Sequence, residues 1–303
     1  MIKDLIYTFI YHKEVNKILR SINKFMDPVL PNWMRIHPSG MIRVSDHLDR
    51  TVKILTNQTN YITYLIFWGG VSNFEYAKIF SNLIKNVDSF VDVGANIGLY
   101  SLIAGANNSK CRVFSFEPSR GPLHYLRKNI SLNRFSNIEV VPTALSNTNG
   151  KIEFYEQTNR KYKYLKYNLA GESNAGTKTD KEKFIKFSVE SRTLDSYLSN
   201  VKNIQIDLIK LDTEGTEFEI LEGAVNTIDS MKPIVICETL YNVIERDLEA
   251  FFLPRNYVFY NVHPNGLVKV RSIIRHVDDG IRNVFCVPPE KSHLIEEYVL
   301  SSD

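Results

Sequence analysis

The segment Val91-Asp92-Val93-Gly94-Ala95-Asn96-Ile97-Gly98-Leu99-Tyr100 follows a short apolar run with two glycines four positions apart. A strand feeding a glycine turn and then a helix leaves backbone N–H groups where a ligand can approach closely. The dinucleotide fingerprint Gly-x-Gly-x-x-Gly is absent, which argues against a nicotinamide enzyme. Asp92, just before the turn, is placed to accept hydrogen bonds from a cationic ligand or to hold the loop in shape. Nineteen residues after Gly98 comes Phe116-Glu117-Pro118. An acid at the end of a second strand hydrogen-bonds ribose hydroxyls in doubly wound folds. Standing alone, Glu117 reads as an acid at a helix N-terminus. In register with the glycine turn, the ribose role is the stronger reading.

Three more carboxylates fall at strand ends. Asp212 follows the apolar run Leu208–Leu211, Glu214 comes two residues later, and Glu238 closes Pro233–Cys237. The carboxyl edge of a parallel sheet faces the crevice where ligands bind. Asp212 and Glu214 can serve as base and orienting acid, or share a divalent cation. Glu214 and Glu217 can also be acids at a helix N-terminus, the reading preferred for Glu217. Glu238 is a second base candidate. His263, in the turn Asn261–Gly266, titrates in a useful range but reads as solvated.

Asp92-x-Gly94-x-x-x-Gly98 with Glu117-Pro118 resembles class I S-adenosylmethionine-dependent methyltransferases. Within them, Val91–Tyr100, Phe116-Glu117-Pro118, Thr193-Leu194-Asp195, Ile209–Gly215 and Ile236-Cys237-Glu238 look like the FkbM family, over about residues 60–240. The resemblance implies O-methylation of a small-molecule or glycan hydroxyl, with S-adenosylmethionine as cofactor and a divalent metal not expected. It implies a cofactor site of Asp92, Gly94, Ala95, Asn96, Gly98, Glu117 and Pro118, with Ala144 near the adenine. Methyl transfer is an in-line displacement, so alignment supplies much of the catalysis. The acceptor must also lose a proton, the task assigned to Asp212 with Glu214 as orienting acid, or to Glu238. Base-methylating relatives carry Asn/Asp-Pro-Pro-aromatic where this chain has Asp212-Thr213-Glu214-Gly215, so nucleic acid is not the expected substrate. A non-catalytic binding module is the other alternative, against which the intact motifs argue. Thr193-Leu194-Asp195 reads as a helix start, with Asp195 capping Ser196–Leu198.

These residues need a scaffold that brings strand ends together. Runs at Ser89–Val93, Arg112–Phe116, Ile138–Val141, Leu208–Leu211 and Pro233–Cys237 alternate with helical patterns. That spacing predicts an α/β, Rossmann-like, doubly wound and mostly parallel sheet. Tyr257–Val262 and Asn283–Val287 have no helix between them and predict an antiparallel hairpin at one edge. The domain reading is an accessory region at 1–85, a methyltransferase domain at 86–290 and a tail at 291–303.

Apolar positions from Ile2 to Phe25 follow the helical period, with Pro28 and Pro31 beyond. That amphipathic helix packs on its own domain or a partner, with a membrane surface as the alternative. Met41–Val44 and Thr51–Leu55 suggest a small β element, and 60–85 look helical with a break at Gly69-Gly70. Between Tyr155 and Lys186 lies Arg160-Lys161-Tyr162-Lys163-Tyr164-Leu165-Lys166-Tyr167. It reads either as a phosphate- and ring-binding surface or as a hairpin with tyrosines on one face.

Composition narrows the classes further. In 303 residues, Lys+Arg 37 against Asp+Glu 34 leaves a formal net charge of +3. This is far less than an electrostatically driven nucleic-acid binder carries. Cys111, Cys237 and Cys286 are widely spaced, match no zinc pattern and read as buried thiols. With no apolar run near the ~20 residues of a membrane span, and no signal-peptide pattern at the N-terminus, the chain is expected in the cytoplasm.

Overall fold

The computed structural model describes residues 2–159, 161–171, 173–180 and 183–300. Its N-terminal part holds helices α1 (Ile2–Ile10) and α2 (Lys13–Phe25), strands β1 (Gly40–Ser45) and β2 (Thr51–Thr56), and helices α3 (Tyr61–Gly69) and α4 (Ala77–Leu83). Then come β3 (Ser89–Val93), α5 (Leu99–Asn107), β4 (Arg112–Phe116), α6 (Arg120–Asn133) and β5 (Ile138–Val141). A side sheet follows, of β6 (Ala144–Leu145), β7 (Gly150–Gln157) and β8 (Phe184–Arg192). The chain continues through α7 (Leu194–Leu198), β9 (Leu208–Leu211), α8 (Glu217–Glu222), α9 (Val225–Met231), β10 (Ile234–Glu238) and α10 (Glu245–Phe252). It closes with β11 (Val258–His263), β12 (Gly266–Val270) and β13 (Asn283–Val287).

The main sheet runs β12-β11-β13-β10-β9-β3-β4-β5. The block from β10 to β5 is parallel, and β13, β11 and β12 are antiparallel. The strand order reverses between β3 and β9, the switch point where open α/β sheets hold their ligands. Every residue of β3 and β9 is buried, as strands covered on both faces require. Alternation then sends Phe90, Leu208 and Ile236 to one core, and Val91, Ile209 and Val235 to the other.

The α/β reading holds, with one correction at the edge. The last two expected strands do not form a hairpin with each other alone. Pro264-Asn265 turns β11 into β12, an extra strand, and β13 then inserts between β10 and β11.

The compositional boundary at residue 85 has no counterpart in the packing. Phe80, Leu83 and Ile84 share one core with Phe90 and Phe285, and so does Ile295 from the tail. The hairpin of β1 and β2 is joined to α6 by amides one turn apart. Asn129 Oδ1 accepts from Leu55 N–H at 2.7 Å, and Asn133 Oδ1 from Lys53 N–H at 2.8 Å. Asn133 therefore ends α6 by closing the edge of β2, while Arg134 takes the left-handed cap.

Two other readings change. The N-terminal stripe is two helices, broken at Tyr11-His12, and most of its apolar side chains face solvent. The lysine- and tyrosine-rich run is not a strand, although β7 and β8 flank it as an antiparallel pair. Its tyrosines are divided among different neighbours. Tyr162 packs edge-on to Tyr7 and Tyr11, Tyr164 bonds Gln58, and Tyr167 lies against His124. Arg160 lies outside the described residues.

Candidate active site

A cavity of about 440 Å³ opens at the carboxyl ends of the parallel strands, within the range of small-molecule sites. Its wall takes Gly94, Ala95 and Asn96 from the β3 turn, Glu117 and Pro118 just after β4, Ala144 from β6, Asp212 and Glu214 just after β9, and Glu238 from β10. Nine of the eleven site residues expected from sequence thus share one cavity.

The turn after β3 is shaped by close approach. Gly94 has φ +71°, and a Cβ there would lie 1.9 Å from the Asp212 carbonyl oxygen, so only glycine lets the two strand ends touch. Gly98 and Asp92 stand behind the wall. Gly98, at φ +97°, opens α5, and a Cβ on it would meet Leu126 at 2.6 Å. Asp92 is buried, and its Oδ2 accepts from Ser101 N–H at 3.1 Å and Ser101 Oγ at 2.6 Å. Of the two sequence readings, this geometry matches loop-holding: the carboxylate anchors the first turn of α5.

Glu117 is buried at the cavity wall. Its Oε2 accepts from Asn96 N–H and its Oε1 from Ser119 N–H, each at 2.8 Å. Burial pushes its carboxyl up to about 7, against the pull of those two N–H groups. One bond per oxygen leaves each with acceptor capacity. The bond to Asn96 also holds that residue's left-handed backbone, φ 53°.

Lys210, part of the Ile209–Gly215 motif but given no role from sequence, links the two acids of the switch point. Directly across from Asp92 in the parallel register, it is almost fully buried. Its Nζ lies 3.1 Å from Asp212 Oδ2 and 3.6 Å from Asp92 Oδ1, an oxygen with no hydrogen bond of its own among the described residues. Burial works to depress the ammonium's pKa, but Asp212 and Asp92 outweigh it and leave it raised.

The other carboxylates have distinct surroundings. Glu214, at φ 62°, pairs with Lys178 of the insertion at 2.6 Å, so the expected orienting acid is held by an ion pair. Glu238 has a buried oxygen without a partner among the described residues. Burial, then Asp212 and Glu214, push its carboxyl up to about 9. A carboxyl protonated at neutral pH donates a hydrogen bond and takes no proton, which counts against the base role read from sequence. Glu217 is buried and accepts from Thr213 N–H at 2.7 Å, bracing the loop around Glu214.

Glu75 had no sequence signal. It enters the cavity wall from the turn before α4 at φ 45°, and its Oε2 accepts from Tyr100 Oη at 2.8 Å. Burial, then the charge of Asp212, raise it to about 7.

Two other expectations resolve away from the cavity. His263 ends β11 and takes no part in the wall. Thr193, not Asp195, caps α7, accepting from Ser196 N–H at 3.1 Å. Asp195 instead caps α9, accepting from Asn226 and Thr227 N–H at 2.9 Å each. Among the described residues no group of three or more His, Cys, Asp or Glu side chains is arranged to hold a metal ion.

A doubly wound sheet with a glycine turn and a buried acid at its switch point defines a Rossmann-like fold. The chain belongs to the FkbM family of S-adenosylmethionine-dependent methyltransferases: the methyltransferase FkbM domain matches residues 92–259. It is 30% identical to methyltransferase sdnD of Sordaria araneosa over 183 residues, covering 50% of this chain and 68% of that one. It is 29% identical to 2-O-methyltransferase NoeI of Sinorhizobium fredii over 159 residues, covering 50% and 64%. The solved FkbM methyltransferase of Methylobacillus flagellatus aligns with a TM-score of 0.42 at 20% identity, over 66% of this chain and 44% of that one. No described helix is long and apolar enough to cross a membrane.

Proposed function

We propose that the chain methylates a hydroxyl of a sugar or other small acceptor, using S-adenosylmethionine. The observation that carries this reading is the Glu117 carboxylate, fixed by two backbone N–H groups at the wall of a switch-point cavity. A ribose diol needs two acceptors held in one plane, and such a carboxylate offers them. The Gly94 turn fits the same ligand, because no side chain stands between the backbone and the cavity. S-adenosylmethionine brings an electrophilic methyl group on a sulfonium centre.

The chain's own residues would do the rest. Asp212, partly open to the cavity and oriented by Lys210, takes the acceptor hydroxyl proton. Glu238, protonated in the neutral range, donates a hydrogen bond to the acceptor. Glu214, tied to Lys178, holds the insertion over the cavity. A hydroxyl acceptor is supported by the relative named as a 2-O-methyltransferase. A sugar is the acceptor class that the family resemblance implies.

Calorimetry with S-adenosylhomocysteine tests the reading. Glu117→Ala should weaken binding by about 1–3 kcal/mol, or roughly 5- to 150-fold, through loss of charge-assisted acceptors. Wild-type affinity in that variant would remove the ribose assignment.

A further inference from the structure

Helix α2 turns its polar side to the protein and its apolar side to solvent. Asn16 Oδ1 accepts from Ser39 N–H at 2.7 Å, and its Nδ2 donates to the His37 carbonyl at 3.1 Å. Arg20 donates to the Ser39 carbonyl at 2.8 Å, and Asn23 accepts from Ile36 N–H at 2.8 Å. The extended chain at residues 36–41 needs such partners, and the helix supplies them. At ~100° per residue, Asn16, Arg20 and Asn23 share one side, and Ile18, Ile22 and Phe25 point away from it. Helix α1 repeats the arrangement. Tyr7 and Tyr11 pack on Tyr162, while Ile2, Leu5 and Phe9 are exposed on the far side.

The apolar surface continues past α2, with Phe25 89% and Trp33 83% exposed. Of nineteen large apolar side chains exposed among the described residues, eleven lie between Ile2 and Met34. A concentration of that kind marks an interaction surface. The same stretch is basic. Residues 1–35 hold Lys3, Lys13, Lys17, Arg20, Lys24 and Arg35 against Asp4, Glu14 and Asp27, an excess of three that equals the net charge of the whole chain.

We propose that this face docks on a bilayer surface containing anionic lipid. Apolar stripes with aromatic residues, backed by lysines on the polar side, lie in the plane of a membrane interface. Trp33 suits the headgroup level, where an amphipathic ring meets both phases. The charge selects between occupants: a second copy would set three excess positive charges against three, whereas anionic headgroups attract them. The proposal stands apart from the methyl-transfer reading, since it uses no residue of the cavity.

The test is flotation of the full chain with phosphatidylcholine vesicles, with and without phosphatidylglycerol. Binding is expected on the anionic vesicles and should fall with added salt. Trp33 emission should shift to the blue, a change absent in Trp33→Phe because Trp68 is already buried. Ile22→Glu/Phe25→Glu should cut binding at least about tenfold at an unchanged melting temperature, and Lys13→Glu/Lys17→Glu should do the same on anionic vesicles only. No binding to anionic vesicles at low salt overturns the proposal. So does binding untouched by Ile22→Glu/Phe25→Glu, or a dimer that this variant disperses without any vesicle binding. Equal binding to neutral vesicles overturns the part assigned to anionic lipid.

Discussion

Lys210→Met isolates the charge arrangement beneath the site. The ammonium is buried with Asp92, and its distances to Asp92 and Asp212 are 3.6 and 3.1 Å. Removing it leaves the Asp92 carboxylate in the core with, among the described residues, only the Ser101 donors, and one oxygen with none. Breaking a buried pair from one side costs about 3–5 kcal/mol, because the remaining charge keeps its desolvation penalty. At about 2–4 °C per kcal/mol, the midpoint should fall by roughly 6–20 °C. Lys210→Met/Asp92→Asn removes both charges and should recover about 2 kcal/mol or more of that loss, since neither partner is then left uncompensated. Urea unfolding followed by circular dichroism, run on the wild type, both single variants and the double variant, gives the coupling directly. A single variant within about 1 kcal/mol of wild type would refute the reasoning. So would a double variant no more stable than Lys210→Met.

Asp212→Asn should leave S-adenosylhomocysteine affinity within about tenfold and lower turnover by ~100-fold or more; unchanged turnover removes Asp212 as the base. Glu238→Gln should retain most activity, since an amide still donates a hydrogen bond, and loss on the scale of Asp212→Asn would restore Glu238 as a base. The same variant should alter the stability–pH curve. Glu238 has a folded value near 9 against an ordinary 4.5. Its contribution is therefore complete below about 4.5 and lost as pH rises through about 9, so wild type should lose stability relative to Glu238→Gln across that window. A constant difference would contradict the raised value.

Much of this site could be read locally. Gly94 and Glu117 announce themselves because a strand, a tight turn and an acid near its fixed interval all lie within one βαβ stretch. Asp212 and Glu238 follow from the same logic of strand ends. Lys210 was legible only in principle: once β9 is placed beside β3, the parallel register sets it opposite Asp92, but a lysine inside an apolar run carries no local mark. Glu75 depends on a contact made across the fold from a turn before α4, where nothing in the neighbouring residues points inward. The N-terminal stripe shows the opposite failure. Its period is right, yet which side packs is decided by hydrogen bonds of Asn16, Arg20 and Asn23 with a segment 13 to 23 residues further along the chain. Periodicity weighs apolar area and does not see such partners.

The cavity carries an excess of acid that bears on its ligand. Burial raises Glu75 and Glu117 to about 7 and Glu238 to about 9. Near neutrality each is held partly or wholly protonated. A cation entering the cavity favours the ionised forms and lowers those values, so its binding must release protons. S-adenosylmethionine and S-adenosylhomocysteine share every group except the methyl and the sulfonium charge, which makes their difference a measure of that coupling alone. Calorimetry in phosphate and in Tris, buffers of unlike ionisation enthalpy, should show more protons released by S-adenosylmethionine. Between about pH 6.5 and 8.5, the logarithm of the affinity ratio should rise with pH at a slope of about 0.5–1 per unit in favour of the sulfonium. Glu75→Gln and Glu238→Gln should each reduce that slope, because each removes one group able to ionise beside the cation. A slope of zero in wild type, with equal proton release by the two ligands, would mean that these acids do not face the sulfonium. The cavity would then have to be read with its acceptor end, not its donor end, among the carboxylates.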